Sequence, residues 1–218
     1  MSRSLRIDVF FDFICPWCLI GKRQLERALV RLHAQQADVE VELAWHGVQL
    51  LPDLPASGVP FAEFYRQRLG SAEAVRLRQA QVQQAAAGLE IDLTRIARMP
   101  NSADAHRLLA CAAGLGSAAQ REALLERLFA AYFRNGEDLG DTASLLAIAA
   151  ACGFEPAQLA PSLRGDGSPF VGEAAGMAGN GVPYFVFDRR LAVSGAQPAE
   201  VLLGAMTEAL AHSARQPV

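Results

Sequence analysis

Cys15-Pro16-Trp17-Cys18 sets two thiols three positions apart, where an apolar segment (residues 5–13) gives way to a helical pattern running from Pro16 to about Gln35. Residues three apart are neighbours on one helix face, so the two sulfurs can close a small disulfide. The unsatisfied N–H groups and the positive end of the helix dipole lie at Cys15 and favour its thiolate. Cys15 is therefore the expected nucleophile, and Cys18, one turn further in, the resolving partner. Pro16 suits the first turn of a helix and is expected to hold both sulfurs at its exposed end.

A zinc site is the main competitor for this spacing. Structural zinc commonly takes four ligands, and the chain offers only Cys111 and Cys152 besides the pair, each isolated among small apolar residues in a helical pattern. Those two read as buried packing residues, with a second redox pair between them as the lesser alternative, and no metal is expected. His33, His46 and His212 show no ligand spacing. Asp12, three residues before Cys15, has two readings. Raised by burial, it could carry a proton to or from Cys18; alternatively it caps a helix or pairs with Lys22 or Arg23.

The elements that must position these groups follow from length and pattern. With 218 residues, 51% hydrophobic and 20% charged, the chain can bury a large core, and a net charge of −3 argues against a nucleic-acid surface. Lys22 is the single lysine among 20 basic residues. Residues 1–6 lead straight into an apolar strand rather than a signal peptide, and no stretch supplies the roughly 20 apolar residues of a membrane span. The expectation is a cytoplasmic protein, where a disulfide is more often catalytic than structural.

Residues 39–45 alternate as a second strand, completing a βαβ unit with parallel strands. Residues 49–60 read as a connection. From 61 to about 160 the pattern is helical, with candidate helices at 61–69, 71–87, 102–113, 118–135 and 142–152. Ser102 and Asp141 or Thr142 are candidate N-caps, while Gly136, Gly140 and Gly153 punctuate helix ends. Residues 169–179 suggest a short helix, 184–187 and 191–193 a hairpin joined at Asp188-Arg189-Arg190, and 198–212 a closing amphipathic helix. A βαβ unit followed by a ββα unit, with C-x-x-C after the first strand, is the α/β arrangement of the thioredoxin fold. The helices from 61 onward form a large insertion between its halves, dividing the chain at 1–60, 61–165 and 166–218.

Five blocks carry a closer resemblance. They are Phe11-Asp12-Phe13-Ile14-Cys15-Pro16-Trp17-Cys18-Leu19-Ile20-Gly21-Lys22, Asn101-Ser102-Ala103-Asp104-Ala105-His106-Arg107-Leu108, Ala131-Tyr132-Phe133, Gly181-Val182-Pro183-Tyr184-Phe185-Val186 and Ser194-Gly195-Ala196-Gln197-Pro198. In this order the chain resembles the DsbA superfamily, and within it the FrnE-like branch related to 2-hydroxychromene-2-carboxylate isomerases and kappa-class glutathione transferases. The resemblance implies a cytosolic thiol–disulfide oxidoreductase working through a mixed disulfide, with no tightly bound cofactor beyond its own redox-active disulfide. Its implied partners are protein thiols or disulfides, with glutathione as a candidate co-substrate, and neither nucleic acid nor membrane. Two alternatives stay open: a glutathione-dependent isomerase or transferase on the same scaffold, and a client-binding module whose disulfide regulates access. The isomerase and transferase relatives typically carry serine at the position of Cys15.

Three further site assignments rest on the resemblance. Pro183 by itself reads as a strand-opening proline; the family implies a cis Val182–Pro183 bond facing the C-x-x-C and presenting the Val182 backbone to an extended substrate. Trp17 stands where DsbA has histidine, which removes a positive charge from the motif and implies a less oxidising couple; it also reads as a shield over the sulfurs. Asn101 and Arg107 match positions that border the active-site groove in glutathione-using relatives, where they would touch a carboxylate. Read from the residues alone, Asn101-Ser102 caps a helix and His106 and Arg107 pack or pair.

Overall fold

Every second residue of the first apolar segment points the same way, and Leu5, Ile7 and Val9 accordingly share one buried face of strand β1 (Arg3–Phe11). The structure is a computed structural model that describes residues 3–89, 91–172, 174–178 and 181–214. β1 ends at Phe11 rather than at Phe13, because the Cys15 N–H donates back to the Asp12 carbonyl at 3.1 Å and turns the chain. Helix α1 (Pro16–Gln35) follows and carries the chain back to β2 (Val39–Gly47). β2 pairs in parallel with β1, from Arg3 opposite Val39 to Phe11 opposite Gly47.

Residues 49–171 then fold mostly as helices. A two-residue strand β3 (Val59–Pro60) leads into α2 (Phe61–Leu69) and α3 (Ala72–Ala85), and β4 (Arg98–Met99) returns to pair with β3 antiparallel. Helices α4 (Ala103–Ala112), α5 (Ala118–Ala130), α6 (Thr142–Ala151) and α7 (Pro156–Leu159) follow. β3, β4 and α7 are too short to produce a readable period. The helix expected over 118–135 is α-helical only to Ala130 and continues as a π turn, Ala131–Asn135. The helix expected over 169–179 contracts to one 3₁₀ turn, Ala175–Met177; residues 173 and 179 lie outside those described.

The chain closes with the hairpin β5 (Tyr184–Phe187) and β6 (Leu191–Ser194) and with α8 (Ala199–Ala214). β5 joins β1 antiparallel, giving a four-stranded sheet ordered β2-β1-β5-β6. The chain divides into two compact units. One holds this sheet with α1 and α8; the other comprises residues 12–16 and 49–171.

In the sheet-bearing unit, Leu25, Ala28 and Leu32 of α1 and Leu202, Met206, Ala209 and Leu210 of α8 cluster with Leu5, Ile7, Val9, Phe185 and Phe187. At about 1.5–3 kcal/mol for each large side chain removed from water, this cluster is the main reason for the sheet to form. Phe10 and Val186 face the other way, against Ala178 and, partly buried, Val182 and Tyr184. Gly21 fixes how α1 lies near the start of β5. A Cβ there would stand 3.0 Å from Pro183 Cγ and 3.1 Å from Phe185 Cζ, so a side chain at this position would have to push those two rings back by a few tenths of an ångström. No helix among the described residues is long and apolar enough to cross a membrane.

In the helical unit, Phe13 packs against Phe129 of α5 with ring centroids 5.2 Å apart. Asp141 caps α6 by accepting the Ser144 N–H at 2.8 Å. Ser102 occupies the N-cap position of α4 without a side-chain cap, and the Asn101 Oδ1 takes over by accepting the Ala103 N–H at 3.0 Å.

Candidate functional site

Both cysteines of the motif are free thiols, and both are buried, Cys15 with 8% and Cys18 with 2% of its surface exposed. This corrects the expectation of sulfurs at an exposed helix end. The segment leading into α1 is itself interior: Asp12 and Phe13 are fully buried and Ile14 nearly so. Burial of that segment, invisible to helix-capping rules, draws Cys15 inward. Pro16 and Trp17, between the two thiols, stay half-exposed.

Asp12 organises the loop that carries Cys15. Its Oδ2 accepts the Leu50 N–H at 2.7 Å, and its Oδ1 accepts His106 Nε2–H at 3.1 Å and, at a longer 3.4 Å, the Ile14 N–H. Its carbonyl takes the Cys15 N–H. The His106 imidazole is as buried as the carboxylate and is held between two rings, Phe13 at 5.0 Å and Phe170 stacked at 5.2 Å. A buried charge must be paired and hydrogen-bonded to be tolerated, and His106 with two backbone amides meets that demand. Lys22 and Arg23, the partners proposed for Asp12 from sequence, both pair with Glu26 on their own helix, at 2.5 and 3.1 Å.

Asn101 and Arg107 hold loops onto the start of α4. Asn101 accepts from Gln49 Nε2 (2.9 Å) besides Ala103, and donates to the carbonyls of Leu54 (2.6 Å) and Gly167 (3.0 Å). The guanidinium of Arg107 donates to Asp104 Oδ1 (2.7 Å) and to the carbonyls of Ser168 (2.6 Å) and Pro169 (2.8 Å). Asp104 in turn accepts the Gly165 N–H at 2.7 Å. The hydrogen-bonding capacity that the resemblance assigns to a ligand carboxylate is thus spent largely within the chain.

Two tyrosines, Tyr65 and Tyr132, contribute to the surroundings of this loop. Burial pushes the Tyr65 phenol above its ordinary value of 10.0 and the field of Cys15 adds to the rise, while Arg78 and Arg68 oppose it. Burial also pushes Tyr132 well up, with Tyr65 and Asp12 contributing. Tyr132 lies in the π turn after α5, a distortion that frequently marks functional sites, and its hydroxyl points to Met99 Sδ at 3.5 Å. The Ala131-Tyr132-Phe133 block carried the signal for Tyr132; nothing in the sequence marked Tyr65.

In the sheet-bearing unit the Val182–Pro183 bond is cis. The Pro183 carbonyl accepts the Gly195 N–H at 2.8 Å, tying this segment to the end of β6. Among the described residues no group of three or more His, Cys, Asp or Glu side chains could hold a metal. Cys111 and Cys152 are half-buried free thiols, and burial raises Cys152, partly offset by Arg127.

A two-thiol helix start, a buried acid beneath it and a cis-proline hairpin invite comparison with known proteins. The model of the DSBA-like thioredoxin domain matches residues 6–207. A probable DsbA oxidoreductase from Streptomyces coelicolor is similar to the chain at 29% identity and a TM-score of 0.82, covering 98% of this chain and 92% of its own. Two other solved structures share the fold at lower identity. A 2-hydroxychromene-2-carboxylate isomerase has 16% identity, a TM-score of 0.57 and coverage of 98% and 100%. The cytosolic disulfide reductase DsbM from Pseudomonas aeruginosa, solved with GSH, has 19% identity, a TM-score of 0.51 and coverage of 97% and 98%. No curated protein sequence matches the chain. With the family model spanning nearly its whole length, the chain belongs to the DSBA-like thioredoxin-domain family.

Proposed function

We propose that this protein is a cytosolic thiol–disulfide oxidoreductase in which Cys15 attacks and Cys18 resolves. The observation that carries this reading is the pair of free thiols at the start of α1 in a chain of the DSBA-like family. The Cys15 thiolate attacks a client disulfide, forming a Cys15–client disulfide and releasing one client thiolate. Cys18 then attacks the Cys15 sulfur, closes the internal disulfide and releases the second client thiolate. The client gains two electrons and the protein loses them; a thiol reductant such as glutathione restores the dithiol, and run backwards the same steps oxidise a client. Asp12 and His106 hold the Cys15 loop through this cycle, and Val182–Pro183 is assigned to the client backbone. The fold shared with a cytosolic disulfide reductase supports both the activity and the compartment.

A glutathione-dependent isomerase is the second reading, supported by the fold shared with 2-hydroxychromene-2-carboxylate isomerase. One preparation of Cys18→Ala separates the two. An oxidoreductase loses multiple turnover on a protein disulfide and accumulates a single mixed adduct on Cys15, whereas an isomerase needs only a group that orients the glutathione thiolate and keeps its turnover. Wild-type protein that isomerises a chromene carboxylate but exchanges no disulfide would overturn the oxidoreductase reading.

A further inference from the structure

The helical unit carries an aromatic and arginine patch in the neighbourhood of Cys15 that the redox chemistry itself does not use. Tyr65 packs on the buried Phe61 at 4.8 Å and meets Phe64 edge-on at 5.5 Å. The Arg68 guanidinium lies over the outer face of Phe64, 5.9 Å from its centroid. Arg78, on α3, contributes to the electrostatic environment of the same Tyr65 hydroxyl, together with Arg68 and Cys15. Phe64 and Tyr65 are half-exposed and both arginines are exposed. Residues 61–87 hold four arginines, at 66, 68, 76 and 78, against Glu63 and Glu73, a local +2 in a chain of net −3. The start of α2 is tied down by the Phe61 N–H, which donates to the Ala97 carbonyl at 2.9 Å.

We infer that Phe64, Tyr65, Arg68 and Arg78 form a docking surface for the client, and that it selects polypeptides with acidic residues flanking the reacting cysteine. The inference rests on the oxidoreductase reading and names its substrate class. Arginine presents a planar fork suited to carboxylates and is enriched with tyrosine and phenylalanine at protein interfaces. The rings accept the apolar part of a side chain while the guanidinia take its neighbours' charge. An extended peptide advances about 3.3 Å per residue, so a client polypeptide can lay several residues beyond its cysteine along the rings and guanidinia. Exposed charge pairs are each weak, and they act mainly on association and on the choice of partner.

The test uses two peptides with the same internal disulfide and the same residues next to it, one flanked by Asp and Glu and the other by Lys. The expected result is a kcat/KM about fivefold higher for the acidic peptide at low salt, with the ratio falling toward one in 0.5 M salt as charges are screened. In the double variant R68E/R78E the ratio should invert. Because the ratio compares two substrates on one preparation, a general loss of activity or fold does not move it. A ratio of one in the wild type, or a ratio unchanged in the variant, overturns the inference. A ratio of one accompanied by faster turnover of oxidised glutathione than of either peptide assigns the patch to that small ligand instead, and overturns it equally. Turnover of hydroxyethyl disulfide by the wild type, a neutral substrate too small to use the patch, reports separately on the oxidoreductase reading; its absence removes both.

Discussion

Replacing His106 with phenylalanine isolates the hydrogen bond under the Cys15 loop from everything else the imidazole does. The new ring can keep the places against Phe13 and Phe170, 5.0 and 5.2 Å away, so no cavity opens. What is lost is the Nε2–H donor at 3.1 Å, which leaves Asp12 Oδ1 with only the long contact from Ile14 at 3.4 Å. A hydrogen bond to a charged group contributes about 1.5–3 kcal/mol, and stranding a fully buried carboxylate pushes the cost to the upper end. With a urea m-value of about 2 kcal/mol per molar, the unfolding midpoint of His106→Phe should fall by about 1.5 M. Asp12→Asn breaks the same bond from the other side: its amide can still accept from Leu50, but it then turns a donor toward His106 and Ile14. The cost should be about 1–2 kcal/mol. Since the bond can be lost only once, the double variant should be less destabilised than the sum of the two by about 1–2 kcal/mol. Urea titrations followed by far-UV circular dichroism on the four proteins close this cycle. Additivity within about 0.5 kcal/mol would refute a direct Asp12–His106 interaction.

Two predictions concern other parts of the chain. Burial raises Asp8, but donation from Arg6 and His46 outweighs it and holds the carboxyl below its ordinary 3.8; its stabilisation is complete above 3.8 and is lost as the pH falls from there through the lower folded-state value, so Asp8→Asn should cost stability at neutral pH and begin to converge with the wild type only below pH 3.8. Parallel stability curves down to pH 3 would contradict this. At the β5–β6 turn, Asp188 and Arg189 both adopt positive φ, 48° and 57°; Arg189→Gly removes a side chain from the left-handed region and should raise stability by about 0.5–1 kcal/mol, and a drop in melting temperature would show that the Arg189 side chain makes a contact outweighing its backbone strain.

The strands and long helices were legible because each carries its own period: the βαβ start, the Phe187–Leu191 hairpin and the bounds of α1 and α2 follow from alternation, helical spacing and turn residues. The two-residue pairing of Val59-Pro60 with Arg98-Met99 and the π turn at Ala131–Asn135 have no period to read, since both are set by tertiary packing. The C-x-x-C pair was legible as a local motif. Its surroundings were not, because Asp12 meets His106 94 positions along the chain and Gln49 meets Phe170 121 positions along. For Asn101 and Arg107 the residues themselves announced a helix cap and a paired arginine, and these are present as the Ala103 N–H on Asn101 and the Arg107–Asp104 pair; the further bonds to loops 49–54 and 164–170 were not legible because they span dozens of positions.

That distinction bears on Asp12 as well. A proton carrier for the resolving thiol needs a carboxylate oxygen free to exchange with water or with sulfur, whereas Asp12 has no exposed surface and its two oxygens receive Leu50, Ile14 and His106. The geometry favours a role in shape: Asp12 ties residues 12–15 to Leu50 and His106, and its carbonyl takes the amide of Cys15. His106 is a positioning residue in the same sense, bonded to the Asp12 whose carbonyl takes the Cys15 N–H. A thiol held this way sacrifices exposure for orientation, which suits a nucleophile that must meet a disulfide along one line of attack.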